Sequence, residues 1–204
     1  MPPEDLPGID LALLKRLGAE YRTSTRLPLL LVDARGRKLW SLGACPVCAR
    51  LSRSPRQEKL CRDYQRRSVE ESLRWGEPYI SVCPFGLVTF AVPISRDKKL
   101  VAGMISGFCI FPQMKKDIGD DIMRAVRRYR LRARIGPQPR LFFRVITSER
   151  LRRDAGFLLE LTARYGANDL DLIHESRERS IQQFTIANFL EDARREKQDP
   201  VSGL

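Results

Sequence analysis

Apolar residues recur along the chain with two periods, one typical of helices and one typical of strands. Helical spacing appears first near the N-terminus and predicts an amphipathic helix with apolar positions at Leu11, Leu14, Leu17 and Tyr21. A second helix is predicted over residues 55–75, because Ser54 can cap it and Pro55 suits the first helical position. Gln57 completes a capping-box pattern, and Gly76 is a typical residue at a helix end.

Three further helices are predicted in the C-terminal half of the chain. The residues that mark their apolar faces are Ile118, Ile122, Ala125, Val126 and Tyr129 in the first, Leu151, Ala155, Leu158, Leu159 and Thr162 in the second, and Leu170, Ile173, Ile181, Phe184 and Leu190 in the third. The third helix is predicted to run from Asn168 to about Lys197. The sequence alone indicates no packing partner for it within this chain.

Between these helices the pattern predicts strands. The predicted strands are an apolar run from Leu29 to Val32, a return strand that ends near Trp40, a strand up to Cys83, a strand from Leu87 to Ile94, and the buried run "LVAGMISGFCI". Turns are predicted at 33–36 and 84–86, and the polar "RDKK" separates the last two strands. Roughly five strands in hairpin order, with helices before, between and after them, predict an α+β fold with a central antiparallel sheet.

Composition places the chain among globular proteins. Apolar residues make up 43% of its 204 residues, and no apolar run approaches the roughly 18 residues that a membrane-spanning helix needs. The opening "MPPEDLPGID" lacks the basic segment and the apolar stretch of a secretory signal. These features predict one domain with appendages, located in the cytoplasm.

The charge is strongly positive and unevenly distributed. The formal net charge is +12, and the segment from Arg124 to Arg153 holds eleven arginines against one acid, Glu149. Such a cluster can neutralise nucleic-acid phosphates, or it can be a solvated protein surface. No helix-turn-helix, zinc-finger or aromatic-interleaved RNA signature accompanies it. A nucleic-acid-binding protein is therefore the alternative function rather than the first one.

Four of the five cysteines lie in one stretch, spaced as Cys45-x2-Cys48-x12-Cys61-x21-Cys83. Thiolates suit zinc or an iron–sulfur cluster, and a Cys-x-x-Cys loop supplies two ligands of one tetrahedron. The Cys-Pro steps after Cys45 and Cys83 favour iron–sulfur weakly. The competing interpretation is a set of partly buried thiols that line a pocket, because free cysteine behaves as a small hydrophobe. The fifth cysteine, Cys109, is predicted to be a core residue.

No catalytic motif emerges from the sequence. His174 is the only histidine and lies in "DLIHESRERS", far along the chain, which disfavours a Ser-His-Asp or Cys-His unit. A solvent-facing histidine on the last helix is the expected role. No glycine-rich phosphate loop is present, since "GMISG" lies within a strand and lacks the following helix and lysine. We therefore predict no enzymatic activity and no catalytic residues.

The order of these pieces resembles a known family, the PocR sensory domain, a variant of the PAS-like ligand-binding fold. The resemblance runs from about Ile9 to Tyr165 and rests on "VDARG", "GEPYISVCPFGL", "FAVPI" and "LVAGMISGF". Pro84 stands where the family's Cys-His-x-Gly-Leu turn has histidine. On this basis residues 9–166 are interpreted as the sensory domain, 167–198 as a signalling helix, and 1–8 and 199–204 as tails.

The resemblance implies a role in signal transduction and transcription regulation. The family is found in bacterial and archaeal regulators, ahead of output modules such as helix-turn-helix domains or histidine kinases, and is thought to sense small organic molecules. Cys48, Cys61 and Cys83 match positions where the family commonly has cysteine. Cys45 can then replace the missing histidine, which keeps four candidate metal ligands.

The ligand pocket is expected between the sheet and the helix over 55–75. Its candidate contacts are Phe85, Phe90, Ser106 and Phe108, each of which could instead be a simple core residue. Strand alternation predicts that Ser106 and Phe108 share one face. The expected function is a sensor that transmits its state through the last helix to a separate output protein. That helix is expected to form a weak parallel homodimer, unless it folds back on its own domain.

Overall fold

The computed structural model describes residues 10–45, 47–48, 54–130 and 144–198. For residues 190 and 192–198 it describes the backbone alone. The predicted tails at 1–8 and 199–204 and the arginines Arg132, Arg134 and Arg140 lie outside the described residues. The helices are α1 (Leu11–Thr25), α2 (Pro55–Trp75), α3 (Ile118–Arg128), α4 (Ser148–Arg164) and α5 (Leu170–Gln198). The strands are β1 (Leu29–Asp33), β2 (Lys38–Leu42), β3 (Tyr79–Val82), β4 (Val88–Arg96), β5 (Lys99–Ile110) and β6 (Arg144–Val145).

The strands form one sheet in the order β2-β1-β5-β4-β3, with every neighbouring pair antiparallel. The two-residue strand β6 pairs in parallel with the end of β5. An α+β fold with a central antiparallel sheet is therefore confirmed. The sequence pattern missed β6 because two residues are too short to show a period.

Helices cover both faces of the sheet. On one face, α1 and α4 enclose the largest cluster of buried side chains, which includes Leu14, Leu17, Tyr21, Leu31, Phe90, Val92, Met104, Leu151 and Leu158. On the other face, Val69 of α2 packs between Leu30, Val32, Ala91 and Ile105. Alternate residues of the central strands thus enter opposite clusters, and the sheet is buried on both sides.

Helix α2 begins and ends at the residues that its caps predict. The side-chain oxygen of Ser54 accepts a hydrogen bond from the Gln57 backbone N–H at 3.2 Å, and Pro55 is the first helical residue. Gly76 is the C-cap in a left-handed conformation, with its N–H bonded to carbonyl groups of the last turn. These local bonds satisfy backbone groups that the helix itself leaves free.

Helix α5 has a docked segment and an exposed one. At its start, the Asn168 side chain accepts a hydrogen bond from the Ser95 backbone N–H at 3.1 Å, and the Asp169 carboxylate accepts one from Lys98 N–H at 3.0 Å. Leu172, Ile173 and Ser176 are buried where α5 packs against α2. The described side chains from 181 onward are all exposed. Only the first part of the helix therefore belongs to the domain's core.

Candidate functional site

A cavity of 660 Å³ lies between α2 and the edge of the sheet formed by β1 and β2. Its walls come from the start of β1, from β2, from the loop after β2, from the first three turns of α2, and from Phe108 of β5. Leu29 and Leu30 supply buried apolar surface, whereas Lys38, Glu58 and Arg62 are exposed. The cavity therefore combines an apolar floor with charged groups nearer to solvent.

Gln57 is a buried polar residue in the cavity wall. Its side chain is 6% exposed, and within the described part of the chain its carbonyl oxygen Oε1 is buried and has no hydrogen-bond partner. The capping-box pattern is thus only half formed, because Ser54 caps the helix but the Gln57 side chain is not bonded in return. An unpaired buried amide oxygen costs about 1 to 3 kcal/mol.

Phe108 enters the cavity wall because β5 contains a bulge. Thr89 pairs with Gly107 and Val88 pairs with Cys109, so Phe108 has no partner across the strands. Its φ is 50°, beside a φ of 96° at Gly107, and a bulky side chain rarely adopts this conformation. Strained backbone of this kind is found at binding sites more often than elsewhere.

The prediction that Ser106 and Phe108 share one face of the sheet is wrong. The bulge adds one residue to β5, which breaks the alternation of its side chains between the two faces. The Ser106 hydroxyl donates a hydrogen bond to the Pro28 carbonyl oxygen at 2.7 Å and lies 3.1 Å from the Tyr21 hydroxyl, on the side of α1. Phe108 instead contacts the clusters on the opposite side.

The other ligand candidates lie elsewhere in the core. Phe90 is buried against α1 and α4, and Phe85 is buried beside α3. Phe108 is therefore the single member of the predicted set that lines this cavity. Sequence reasoning missed Gln57 and Ser41, and the only signal for Gln57 was its position three residues after the helix cap.

The four clustered cysteines come from three elements that meet at one end of this cavity. Cys45 and Cys48 follow β2, Cys61 lies in the second turn of α2, and Cys83 follows β3. Cys45, Cys48 and Cys61 all line the cavity, and their thiols lie close enough to shift one another's pKa. Cys83 is buried in a neighbouring apolar cluster against which Cys45 and Cys61 also pack.

The pKa values of the cysteine thiols are shifted in different directions. Hydrogen bonds with Cys48 lower the pKa of Cys45 and of Cys61, whereas the same contacts, together with burial, raise the pKa of Cys48. Burial raises the pKa of Cys83 to about 12. Among the residues that the structure describes, no group of three or more His, Cys, Asp and Glu side chains is arranged to hold a metal ion as it stands. Cys109 lies apart, with its thiol 3.6 Å from the Val88 carbonyl oxygen.

The remaining sequence features lie away from the cavity. Arg127, Arg128 and Arg130 are exposed, and Arg124 forms an ion pair with Asp121. His174 is exposed on α5, consistent with its expected role. Among the described residues, no helix has the length and apolar character needed to cross a bilayer.

The cavity is walled largely by α2, and the C-terminal end of α2 packs against α5. A comparison with protein families identifies the kind of domain. The model of the "sensory domain found in PocR" matches residues 8–163, and the chain belongs to this family. No curated protein and no solved structure shows significant similarity to the chain. The chain is thus a sensory module in general terms, and membership of a sensory family favours binding over catalysis.

Proposed function

We propose that the chain senses a small organic molecule that binds in the cavity between β2 and α2. The observation that carries this proposal is the cavity, whose wall includes Gln57, a residue with a buried Oε1 that has no hydrogen-bond partner among the described residues. The volume of 660 Å³ lies within the range of about 300 to 1,000 Å³ that is usual for small-molecule sites. Family membership supports the proposal independently, because the matched family is a sensory one.

The lining supports a proposal for the chemistry of the molecule. Gln57 Oε1 can only accept a hydrogen bond, so a molecule that reaches this oxygen must offer a hydroxyl or N–H group. Leu29, Leu30 and Phe108 provide surface for an apolar part of the molecule. A compact molecule with one apolar end and at least one hydrogen-bond donor fits both requirements.

Helix α2 offers a direct route from the cavity to α5. Its first three turns line the cavity, and its C-terminal end contacts α5 through the bond between the Ser180 hydroxyl and the Arg74 carbonyl oxygen. A helix of 21 residues spans about 31 Å, so a shift at one end reaches the other as a rigid-body movement. We propose that ligand binding repositions α2 and thereby α5.

The exposed part of α5 is proposed to pair with a second copy of the chain and to lead to a regulatory output protein. Ile181, Phe184, Ile186 and Phe189 are between 58% and 72% exposed. A partner helix that covers side chains of this size removes their apolar surface from water, and this burial stabilises the pair. They are not confined to one narrow stripe, so the pairing is expected to be weak.

The test is ligand-dependent thermal stabilisation in two variants, one that alters the cavity and one that does not. Ala44→Trp places a large side chain in the lining, and Ala19→Trp places the same side chain on an exposed position of α1 that does not line it. Panels of small alcohols, amides and carboxylates serve as probes. A compound at a hundred times its Kd stabilises the wild type by about 2.7 kcal/mol. We expect this stabilisation to persist in Ala19→Trp and to vanish in Ala44→Trp.

The variant Gln57→Leu tests the role of the Gln57 side-chain oxygen directly. Removing the unpaired oxygen is expected to stabilise the free protein by about 1 kcal/mol, because a buried polar cost disappears. The same variant is expected to lose most of the ligand-induced stabilisation. A variant that is less stable than the wild type and still responds fully to the ligand would contradict the proposal.

A further inference from the structure

The charged residues of the cavity wall differ in whether they already have a partner. The wall contains Arg37, Lys38, Glu58 and Arg62. Arg37 is already neutralised, because its Nε lies 2.6 Å from the carboxylate of Asp33. None of the other three forms an ion pair with another described residue. The described wall therefore keeps two cations and one carboxylate, which leaves one positive charge without a counter-charge.

Arg62 lacks an ion pair although ion pairs are frequent along its helix. Lys59 pairs with Asp63 and Arg66 pairs with Glu70, both at a spacing of four residues. The acid next to Arg62 in the sequence, Asp63, is thus bound by a different cation. Arg62 itself lies on the side of α2 that lines the cavity. Helix α2 therefore presents a guanidinium to the cavity that no described carboxylate neutralises.

Lys38 lies in the opposite wall, on the side of the sheet that faces α2. It pairs with Val32 across β1 and β2, and Val32 belongs to the buried cluster that contains Val69 of α2. Directly opposite residues of paired antiparallel strands share one face. The turn between these strands contacts α2 closely, since a Cβ atom at Gly36 would lie 2.3 Å from the Arg62 carbonyl oxygen. Lys38 follows soon after Gly36, so Lys38 and Arg62 flank the same part of the cavity.

We propose that the molecule bound in the cavity is a small monocarboxylic acid, with its carboxylate held between Lys38 and Arg62. This inference rests on the proposed function, because it names the class of molecule that enters the same cavity. A monoanion matches the charge that the wall leaves unbalanced, whereas a phosphate group carries about two charges. The planar guanidinium of Arg62 suits the two oxygens of a carboxylate. Gln57 Oε1 remains for a donor group of the molecule, and Leu30 for its hydrocarbon part.

The first measurement compares acids with their own amides. Lactate and hydroxyisocaproate are each paired with the corresponding primary amide, which has nearly the same shape and no charge. Thermal stabilisation of the wild type at several concentrations gives a Kd for each compound. We expect each acid to bind about tenfold more tightly than its amide, and we expect this advantage to shrink as the salt concentration rises. Amides that bind as tightly as the acids, or inorganic phosphate that binds as tightly as they do, would overturn the inference.

Variants without one of the charges assign the two cations. Lys38→Gln and Arg62→Gln are each expected to weaken acid binding about threefold, and the double variant about tenfold, while amide binding stays the same. Arg67→Gln is the matched control, since Arg67 is exposed on α2 and is not among the residues that line the cavity. Because all three side chains are exposed, these variants should fold normally. Acid binding that is unchanged in the double variant, or an equal loss for acid and amide, contradicts the inference.

The Ala44→Trp variant separates failure of this inference from failure of the proposed function. If amides stabilise the wild type as strongly as acids do, and both effects vanish in Ala44→Trp, the cavity binds small molecules but the carboxylate class is wrong. If acid binding persists in Ala44→Trp, the anion binds outside the cavity and the inference is wrong. If no compound of any class stabilises the wild type, the proposed function is wrong and this inference with it.

Discussion

The Ser180 hydroxyl donates a hydrogen bond of 3.0 Å to the carbonyl oxygen of Arg74, and this bond lies where α5 leaves the body of the domain. Before it, Leu172, Ile173 and Ser176 are buried against the rest of the chain. After it, every described side chain is exposed. One continuous helix thus serves as core at its start and as a protruding element at its end.

Two truncations separate these roles. A chain that ends at Ser180 is expected to keep its free energy of unfolding within about 0.5 kcal/mol, because the described side chains that it loses are all exposed. A chain that ends at Asp169 is expected to lose about 3 to 5 kcal/mol, because Leu172 and Ile173 no longer cover α2. Chemical denaturation measures both values.

Sedimentation of the same chains tests the proposed pairing of α5. Self-association of the full chain at high concentration should disappear when the chain ends at Ser180. If the full chain is monomeric throughout, or if the shorter chain still associates, pairing through the exposed part of α5 is wrong.

The sequence predicted those parts of the fold that depend on local signals such as helix caps and apolar spacing. The caps at Ser54 and Gly76 and the apolar spacing fix the limits of α2, and the sheet follows from short apolar runs separated by turns. These signals depend on residues a few positions apart. The elements that they predict are present in the structure because the packing of the domain is compatible with them.

The site was less predictable because it depends on long-range packing. The bulge at Phe108 arises from the pairing of β5 with β4, and it reverses the face on which that residue lies. The cavity exists because α2 leaves space beside β2, which no single segment encodes. Cys45, Cys48 and Cys61 line one cavity, and the metal site inferred from the spacing of the four cysteines stays a prediction.

Helix α2 lies so close to the sheet that a side chain does not fit at Gly103. A Cβ atom there would lie 2.3 Å from a methyl carbon of Val69 in α2. Gly103→Ala is therefore expected to destabilise the protein by about 1 to 3 kcal/mol, because the core must move to accept it. Gly156→Ala is the control, since an added Cβ in this part of α4 meets nothing within 4 Å. It should stabilise the protein by up to about 1 kcal/mol.

A double variant checks that the clash is with Val69 in particular. Val69→Ala should cost less in the Gly103→Ala background than in the wild type, with a coupling of at least about 0.5 kcal/mol. Strictly additive losses in chemical denaturation would show that Gly103 is constrained by something else.

The exposed arginines provide a test of the alternative function. Arg127, Arg128 and Arg130 are the described residues that a nucleic-acid surface at the end of α3 would use. We expect no specific binding of DNA or RNA at physiological salt. If binding occurs through these residues, replacing all three with Ala should flatten the slope of log affinity against log salt by up to about three. Arg56→Ala with Arg67→Ala, exposed on α2 and outside the segment from Arg124 to Arg153, serves as the control.

Cys109 makes stability sensitive to alkaline pH. Burial, with a smaller effect of Asp154, raises its pKa from 9.0 to about 12. The thiol is neutral in both states below pH 9.0, so its contribution to stability is then fully present. Between pH 9.0 and about 12 the unfolded chain releases a proton that the folded chain retains, and stability falls by about 1.4 kcal/mol per pH unit from this group. The loss is complete once the folded thiol also ionises.

Replacing Cys109 should therefore flatten the alkaline part of the stability profile. Cys109→Ala and Cys109→Val differ in volume, so they differ in stability at neutral pH, but neither side chain ionises. Both are expected to show a slope between pH 9 and 12 that is shallower than that of the wild type by up to about 1.4 kcal/mol per pH unit. Tyr21 is retained in all three proteins, and its pKa is raised mainly by burial, with the Cys109 charge as a minor cause. Chemical denaturation under reducing conditions measures the profiles, and parallel slopes in all three proteins would show that Cys109 titrates as an exposed thiol does.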